Sequence, residues 1–198
     1  GMGATKGTTM GIPGEDDPRV LDGLSVLRKI NLEGKSDLEG RIAVVGGGNV
    51  AIDVARCGLR TGADQVSMLY RRTRQEMPAS PEEIEAALNE GVNIDFLVAP
   101  IGITAQEDCL QVQCIRMELG KPDASGRRRP VPVEGSEFIL EVDRFVMAIG
   151  QKAVIPEGFE ITLNRRGYIE AENGRALKRK RVFTGGDVMR EIGRASCR

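Results

Sequence analysis

An α/β fold carrying a parallel sheet is what this sequence predicts, and three consecutive stretches carry the prediction. RIAVV at 41–45 is a short β-branched run suited to a buried parallel strand, and it leads straight into Gly46–Gly48. NVAIDVARCGLRTG, from Asn49 to Gly62, then sets Val50, Val54, Ala55 and Leu59 on one helical face, with Gly62 at the helix C-terminus. QVSMLY at 65–70 reads as a second strand and closes a strand–helix–strand unit of about thirty residues.

The other elements follow in chain order. Residues 1–39 read as irregular, Gly/Pro-rich chain (GIPGEDDP) with a short helix near Gly23–Asn31 and a polar connector. After the second strand, Ser80 is suited to a helix N-cap and Pro81 to the first helical position. Glu83 completes a capping box, and Gly91 ends that helix. VNIDFLV at 92–98 is a third strand. The pattern then changes to strands alone. IGITAQ, CLQVQCIRMEL and EFILEVD alternate with period two, which predicts an antiparallel excursion with GKPDASGRRRPVPVEG as a loop. RFVMAIG at 144–150 is again an uninterrupted apolar run and is expected to rejoin the buried sheet. A weak strand, a turn and a final strand complete the pattern.

Composition narrows the chemistry. The chain has 198 residues, 40% of them hydrophobic, with a net charge of −1. That is a globular composition with no charge reason to expect nucleic acid or an anionic membrane as a partner. No apolar run approaches the roughly eighteen residues of a spanning helix. The runs GRRRP and KRKR read as solvated loop charge, and the methionines at 68, 77, 117 and 147 as core filler. Asp53, mid-helix on the polar side, is given no role. Cys57, Cys109, Cys114 and Cys197 form no C-x-x-C pair, and there is no histidine, so neither a zinc site nor a redox dithiol is expected. Unpaired thiols suggest a reducing, cytoplasmic setting. Without histidine the commonest general base is missing, so no catalytic side chain is assigned and a cofactor must supply any chemistry.

Gly46-x-Gly48-x-x-Ala51 fits the dinucleotide-binding fingerprint of a Rossmann-like fold. One glycine makes the tight turn, one admits the pyrophosphate, and the small third residue lets helix pack close to strand. Phosphates would meet free N–H groups at the helix tip. At the end of the second strand, where such folds commonly carry an acid for a ribose hydroxyl, this chain has Arg71 and Arg72, with Arg74 close behind. A carboxylate there would repel a 2′-phosphate, whereas a guanidinium makes forked bonds to it. Each such bond is worth roughly 1.5–3 kcal/mol, enough to prefer NADP over NAD by about ten-fold or more. Arg74 belongs either to the same anion site or to the solvated surface.

The segment VVGGGNVAIDVARCGLRTGADQVSMLYRRTRQEMPASPEEIEAALNEGV, with CIRMELGKPDASGRRRPVPVEGSEF and VMAIGQ further on, strongly resembles the NADPH-binding domain of the glutamate synthase small (beta) subunit. Related FAD-dependent, iron–sulfur-linked NAD(P) oxidoreductases share it, and the likeness runs over about residues 3–189. The resemblance implies an NADP domain inserted in an FAD domain, with hydride passing between NADPH and FAD. Electrons then move through iron–sulfur clusters to a partner such as a glutamate synthase large subunit. It implies that Gly46, Gly48, Asn49, Val50 and Ala51 contact the pyrophosphate, that Arg71 and Arg72 take the 2′-phosphate, and that Ala148, Ile149 and Gly150 lie beside the NADP. Gly186 and Asp187 of TGGDV would contact the flavin.

The family's FAD fingerprint, its cysteine-rich iron–sulfur region and the helix after GGDV have no counterpart in the sequence. The resemblance therefore implies an internal fragment, inactive alone, divided into four segments. Residues 1–39 would be connector and partial FAD domain, 40–151 the NADP domain, and 152–190 an incomplete FAD return. Residues 191–198, EIGRASCR, match one reading frame of a common sequencing adapter and are expected to be non-native. A stand-alone NADP-binding regulatory module is the competing reading, disfavoured by the flavin-type GIPGED and TGGDV segments. A thioredoxin-reductase-like enzyme is disfavoured by the absent C-x-x-C.

Overall fold

The computed structural model describes residues 4–122, 128–155, 161–164, 169–172, 175–176 and 182–184. Gly186, Asp187 and the 191–198 tail lie outside them. Strands β1 (Ala4–Gly7) and β2 (Val20–Asp22) precede helix α1 (Gly23–Glu33). The expected unit follows as β3 (Gly40–Val45), α2 (Asn49–Arg60) and β4 (Ala63–Tyr70), then α3 (Pro81–Asn89) and β5 (Asn93–Phe96). Next come β6 (Val98–Ala105), β7 (Leu110–Pro122), β8 (Arg128–Pro132) and β9 (Phe138–Val142). β10 (Arg144–Met147), β11 (Gln151–Ala153), β12 (Ala171–Glu172) and β13 (Arg175–Ala176) complete the order.

The chain divides into two compact units, residues 9–150 and residues 1–8 with 151–198. The larger unit is built on a five-stranded sheet in the order β2-β10-β3-β4-β5, every neighbouring pair parallel. Successive residues of a strand point to opposite faces, and both faces here are covered. Ile42, Val44, Val66, Met68 and Val146 pack with Val26 of α1, Ala51, Ile52 and Val54 of α2, and Ile84 and Ala87 of α3. Ala43, Val45, Leu69 and Phe145 face Val98 and Ile103 of β6, Leu110 and Val112 of β7, and Val142 of β9. A strand buried on both sides has no polar alternate positions, which is why IAVV, after Arg41, and FVM, after Arg144, are unbroken apolar runs. RFVM does rejoin the sheet, between β2 and β3, with Phe145 opposite Ala43 and Val20.

The antiparallel excursion is also present. Strand β7 pairs with β6 along Leu110–Arg116, with β9 over Leu110–Cys114, and with β8 over Met117–Pro122. Three details differ from the sequence expectation. Residues 128–132, expected within a loop, form β8, whose alternate prolines hid its strand character. The single strand expected over 92–98 breaks at Leu97, which takes a positive φ of 56°. Its N–H donates to the Arg72 carbonyl (3.1 Å) and its carbonyl accepts from the Met117 N–H (2.8 Å). These two bonds hold a conformation that costs an L-residue about 1–2 kcal/mol and turn the chain from one sheet into the next. Finally, Ser80 does cap α3, accepting from the Glu83 N–H at 3.2 Å, with Pro81 in the first turn. The Glu83 carboxylate, however, does not close a box; it accepts from Arg56 Nη1 (2.5 Å), tying α3 to α2. Met68 and Met77 are core as expected, while Met117 and Met147 are only half-buried.

In the smaller unit β1 pairs antiparallel with β11, and β12 with β13. Ile169 and Ala176 are buried against Ile155, Ile161 and Val182. No helix among the described residues is long and apolar enough to cross a membrane.

Candidate functional site

The carboxyl ends of β3, β10 and β4 meet at one edge of the parallel sheet. Strand β3 leads by α2 to β4 on one side and has β10 on the other, so the chain path reverses there, the usual place for a ligand crevice in an open α/β sheet. Gly46, directly after β3, has φ 145°, and its N–H donates to the Leu69 carbonyl at 3.1 Å. A Cβ on Gly46 would lie 2.3 Å from the Ala148 carbonyl oxygen and 3.1 Å from the Ala51 Cβ. The turn after β3, the first turn of α2 and the segment after β10 are thus in contact through the missing side chain.

Gly47 was not singled out in the sequence, being a free position of the fingerprint, yet it has no room either. A Cβ there would sit 2.5 Å from the Tyr70 ring, and that ring is fixed by its hydroxyl donating to the Glu76 carbonyl (2.7 Å). Gly48 is different. Its Cβ would meet only Pro78 Cγ, at 3.9 Å, so one glycine of the three opens onto space. It is also the N-cap of α2, with no side-chain cap bond, and its carbonyl accepts from the Ala51 N–H at 3.0 Å. Among the described residues, no acceptor takes the N–H groups of Gly48, Asn49 and Val50. Ala51 is fully buried, which is what close helix–strand packing requires. Next to this tip, the Ala148 N–H donates to the Val45 carbonyl (2.9 Å), Ile149 is 39% exposed, and Gly150 has φ 131°.

Leu69 lies opposite Val45 in the sheet, so Arg71, two residues on, comes level with the glycine turn one strand away, a spacing of about 4.8 Å between neighbouring strands. Arg71 is exposed, whereas Arg72 is buried, with 7% of its surface accessible. The Arg72 Nε donates to the Arg128 carbonyl of β8 at 2.8 Å. Arg71, Arg72, Arg129 and Pro130 line a cleft of about 430 Å³. Arg74 is not in that lining; it pairs with Glu85 of α3. The expectation of solvated charge in GRRRP holds for Arg128 and Arg129, which are both exposed, although they lie on a strand and not in a loop. Arg128 folds back onto the Leu119 and Gly120 carbonyls, and Arg129 lines the cleft. Sequence spacing held no signal for this, since β8, paired with β7, meets the chain after β4 through the Arg72 Nε bond to the Arg128 carbonyl. Thr73 and Glu76 form a capping box just after the arginines, the Thr73 N–H donating to Glu76 Oε2 at 3.2 Å.

Burial pushes the Cys114 thiol up to about 12, and Cys57 is raised, first by burial and then by Asp53. Asp53 is also raised, by desolvation first and by the charge of Glu83 second. Cys57, Cys109 and Cys114 are free thiols, and among the described residues no group of His, Cys, Asp or Glu is arranged to hold a metal.

Comparison with known proteins gives a consistent result. The family described as pyridine nucleotide-disulphide oxidoreductase matches residues 1–197. The chain is similar to the NADP(+)-dependent formate dehydrogenase subunit beta of Moorella thermoacetica, 46% identical over 91% of the chain and 26% of that protein. It is 36% identical to the glutamate synthase [NADPH] small chain of Halomonas elongata, over 96% of the chain and 44% of that protein. The chain thus spans less than half the length of either relative. Among solved structures, Mycobacterium tuberculosis FprA in complex with NADPH superposes with a TM-score of 0.77 at 21% identity, over 96% of this chain and 57% of that one. At that identity the likeness concerns the fold.

Proposed function

The chain belongs to the pyridine nucleotide-disulphide oxidoreductase family, and we propose that it is the NADPH-binding portion of a flavin-dependent oxidoreductase of the glutamate synthase small-subunit type. One observation carries the proposal. The only one of the three turn glycines that opens onto space lies at the tip of α2, beside N–H groups without acceptors, and an arginine-lined cleft sits at the end of the next strand. The N–H groups of Gly48, Asn49 and Val50 bind the pyrophosphate, where the helix dipole favours negative charge. Ala51 and Gly46 bring the helix close enough to the sheet for that contact, and Ala148, Ile149 and Gly150 flank the coenzyme on the β10 side. Arg71 and Arg72 receive the 2′-phosphate, with Arg74 held back by Glu85.

With FAD held by the flavin domain, NADPH bound here would be its source of hydride, and iron–sulfur centres would carry the electrons on toward a partner subunit. The chain's own part is alignment and charge: no side chain takes or gives a proton. In this reading the compact unit 9–150, whose sheet and core include β2 and α1, is the NADP domain, which therefore starts well before residue 40, while residues 1–8 and 152–190, with Gly186 and Asp187, belong to the flavin domain. Residues 1–198 alone are expected to bind NADPH without turning it over. The relatives' names support the reading, one being an NADP(+)-dependent formate dehydrogenase subunit and another a glutamate synthase [NADPH] chain.

Calorimetry of the chain against NADP+ and NAD+ tests the binding part. At least about ten-fold tighter binding of NADP+ is expected from one charged bond to the extra phosphate; equal affinities refute it. Flavin absorbance in the full-length gene product tests the rest. A colourless protein that still binds NADP+ would instead favour a regulatory module.

A further inference from the structure

The geometry points to Arg129, on β8 of the antiparallel excursion, as a third guanidinium that reads the 2′-phosphate, facing Arg71 across the cleft; this rests on the reading of the site as NADPH-binding. The cleft is open to solvent, has about 430 Å³ and is lined by Arg71, Arg72, Arg129 and Pro130. Among the described residues no carboxylate lines it. The two exposed guanidiniums of the lining, Arg71 and Arg129, carry like charge at one concavity, so it is suited to a group of more than one negative charge. A 2′-phosphate is such a group near neutral pH.

Two of the three guanidiniums stand ready. Among the described residues, neither Arg71 nor Arg129 has a hydrogen-bond or ion-pair partner, and both are exposed. Their neighbours are committed elsewhere: Arg128 to the Leu119 and Gly120 carbonyls, Arg74 to Glu85. Arg72 has a double part. It lines the cleft, and its Nε bond to the Arg128 carbonyl (2.8 Å) pins β8 against the end of β4. That bond is at the residue before Arg129, so it fixes the position from which Arg129 extends. Pro130, next in the chain, adds an apolar wall. The excursion therefore does more than cover the sheet: its β7–β8 hairpin carries a specificity residue to a site whose other residues lie on the parallel sheet.

The test is titration of the full chain with NADP+ and NAD+, comparing wild type with Arg129→Ala, Arg129→Lys and Arg71→Ala. Arg129→Ala is expected to weaken NADP+ binding about ten-fold, the value of one charged hydrogen bond, with NAD+ binding unchanged. Arg129→Lys, which keeps the charge but loses the fork, is expected to fall between, and it serves as the folded control. Loss of discrimination in Arg71→Ala alone, with Arg129→Ala like wild type, overturns the role of Arg129 while the NADPH reading stands. Equal weakening of both nucleotides in Arg129→Ala also overturns it. A wild-type chain that does not discriminate at all overturns both.

Discussion

A methyl group added at Gly46 or at Gly48 is expected to have opposite consequences, and the structure gives the magnitude of each. At Gly46 the new Cβ lands 2.3 Å from the Ala148 carbonyl oxygen and 2.9 Å from its carbon. Both are backbone atoms of a segment fixed by the Ala148 N–H bond to Val45 (2.9 Å), so no side-chain rotation relieves the overlap. Overpacking of this kind costs about 1–3 kcal/mol, and the backbone adds about 1–3 kcal/mol more because a φ of 145° is disfavoured for alanine. The sum, roughly 2–6 kcal/mol, is a large part of the about 5–15 kcal/mol that stabilises a typical domain. At 2–4 °C per kcal/mol for a chain of this length, Gly46→Ala should melt about 5–20 °C below wild type. At Gly48 the Cβ meets only Pro78 Cγ at 3.9 Å, and φ is an ordinary −94°. The fold should lose about 1 kcal/mol at most, the usual range for an alanine N-cap. On the proposed reading the methyl would stand where the pyrophosphate approaches the helix tip, so NADP+ and NAD+ should both bind one to two decades more weakly. Thermal unfolding followed by circular dichroism, with calorimetric titration, reads both. A Gly46→Ala chain melting within two degrees of wild type, or a Gly48→Ala chain binding normally, would refute the argument.

Further outcomes follow from other contacts. In the full-length enzyme Arg71→Ala should raise the Michaelis constant for NADPH at least about ten-fold more than that for NADH; equal effects would remove the 2′-phosphate assignment. Ser80→Ala removes the cap of α3 and should cost about 1 kcal/mol, seen as a shifted urea midpoint; an unchanged midpoint would show that the Arg56–Glu83 tie alone holds this helix end. Asp143 is held below the usual carboxylate range, chiefly by the side-chain bond from Arg41, and its Oδ2 also accepts the Arg41 N–H (2.7 Å). With a folded value below the unfolded one, its contribution is present above about pH 4 and lost as pH falls through the folded value. Asp143→Asn should therefore flatten the acid limb of the stability curve and leave its slope near neutrality unchanged; a parallel curve would exclude the link. Cys114 is fully buried with its thiol raised to about 12, so iodoacetamide at pH 8 should label it only in denaturant. Labelling in the native chain would contradict its place in the core.

What the sequence made legible is what short range decides. The unit from β3 to β4 could be read because one glycine turn separates a continuous apolar run from a helical period, and every contact that shapes it lies within thirty residues or so. The end of α3 was read from Ser80 and Pro81 for the same reason. Glu83 was misassigned because a carboxylate suited to a local box was outbid by Arg56, twenty-seven positions away in the chain. The box that does form, Thr73 with Glu76, precedes no long apolar run and so carried no helix signal. The site shows the same division. Gly46, Gly48 and Arg71 are marked by spacing, whereas Gly47 is confined by the Tyr70 ring and Arg129 lines the cleft from a strand whose tie to Arg72 no spacing encodes. β10 could be recognised as a buried strand, but its place between β2 and β3 is set by pairing across a hundred residues, and no periodicity encodes a partner.

Arg72 is held twice by the antiparallel layer, through its carbonyl to Leu97 and through its Nε to Arg128. Redesign of coenzyme preference at this strand end would thus meet an obstacle that has nothing to do with the coenzyme. Exchanging Arg71 for an acid leaves the framework alone, but exchanging Arg72 removes the Nε bond that ties the neighbouring hairpin to this strand end, so an engineer choosing between the two would do well to begin with the outer one and retain the inner as scaffolding.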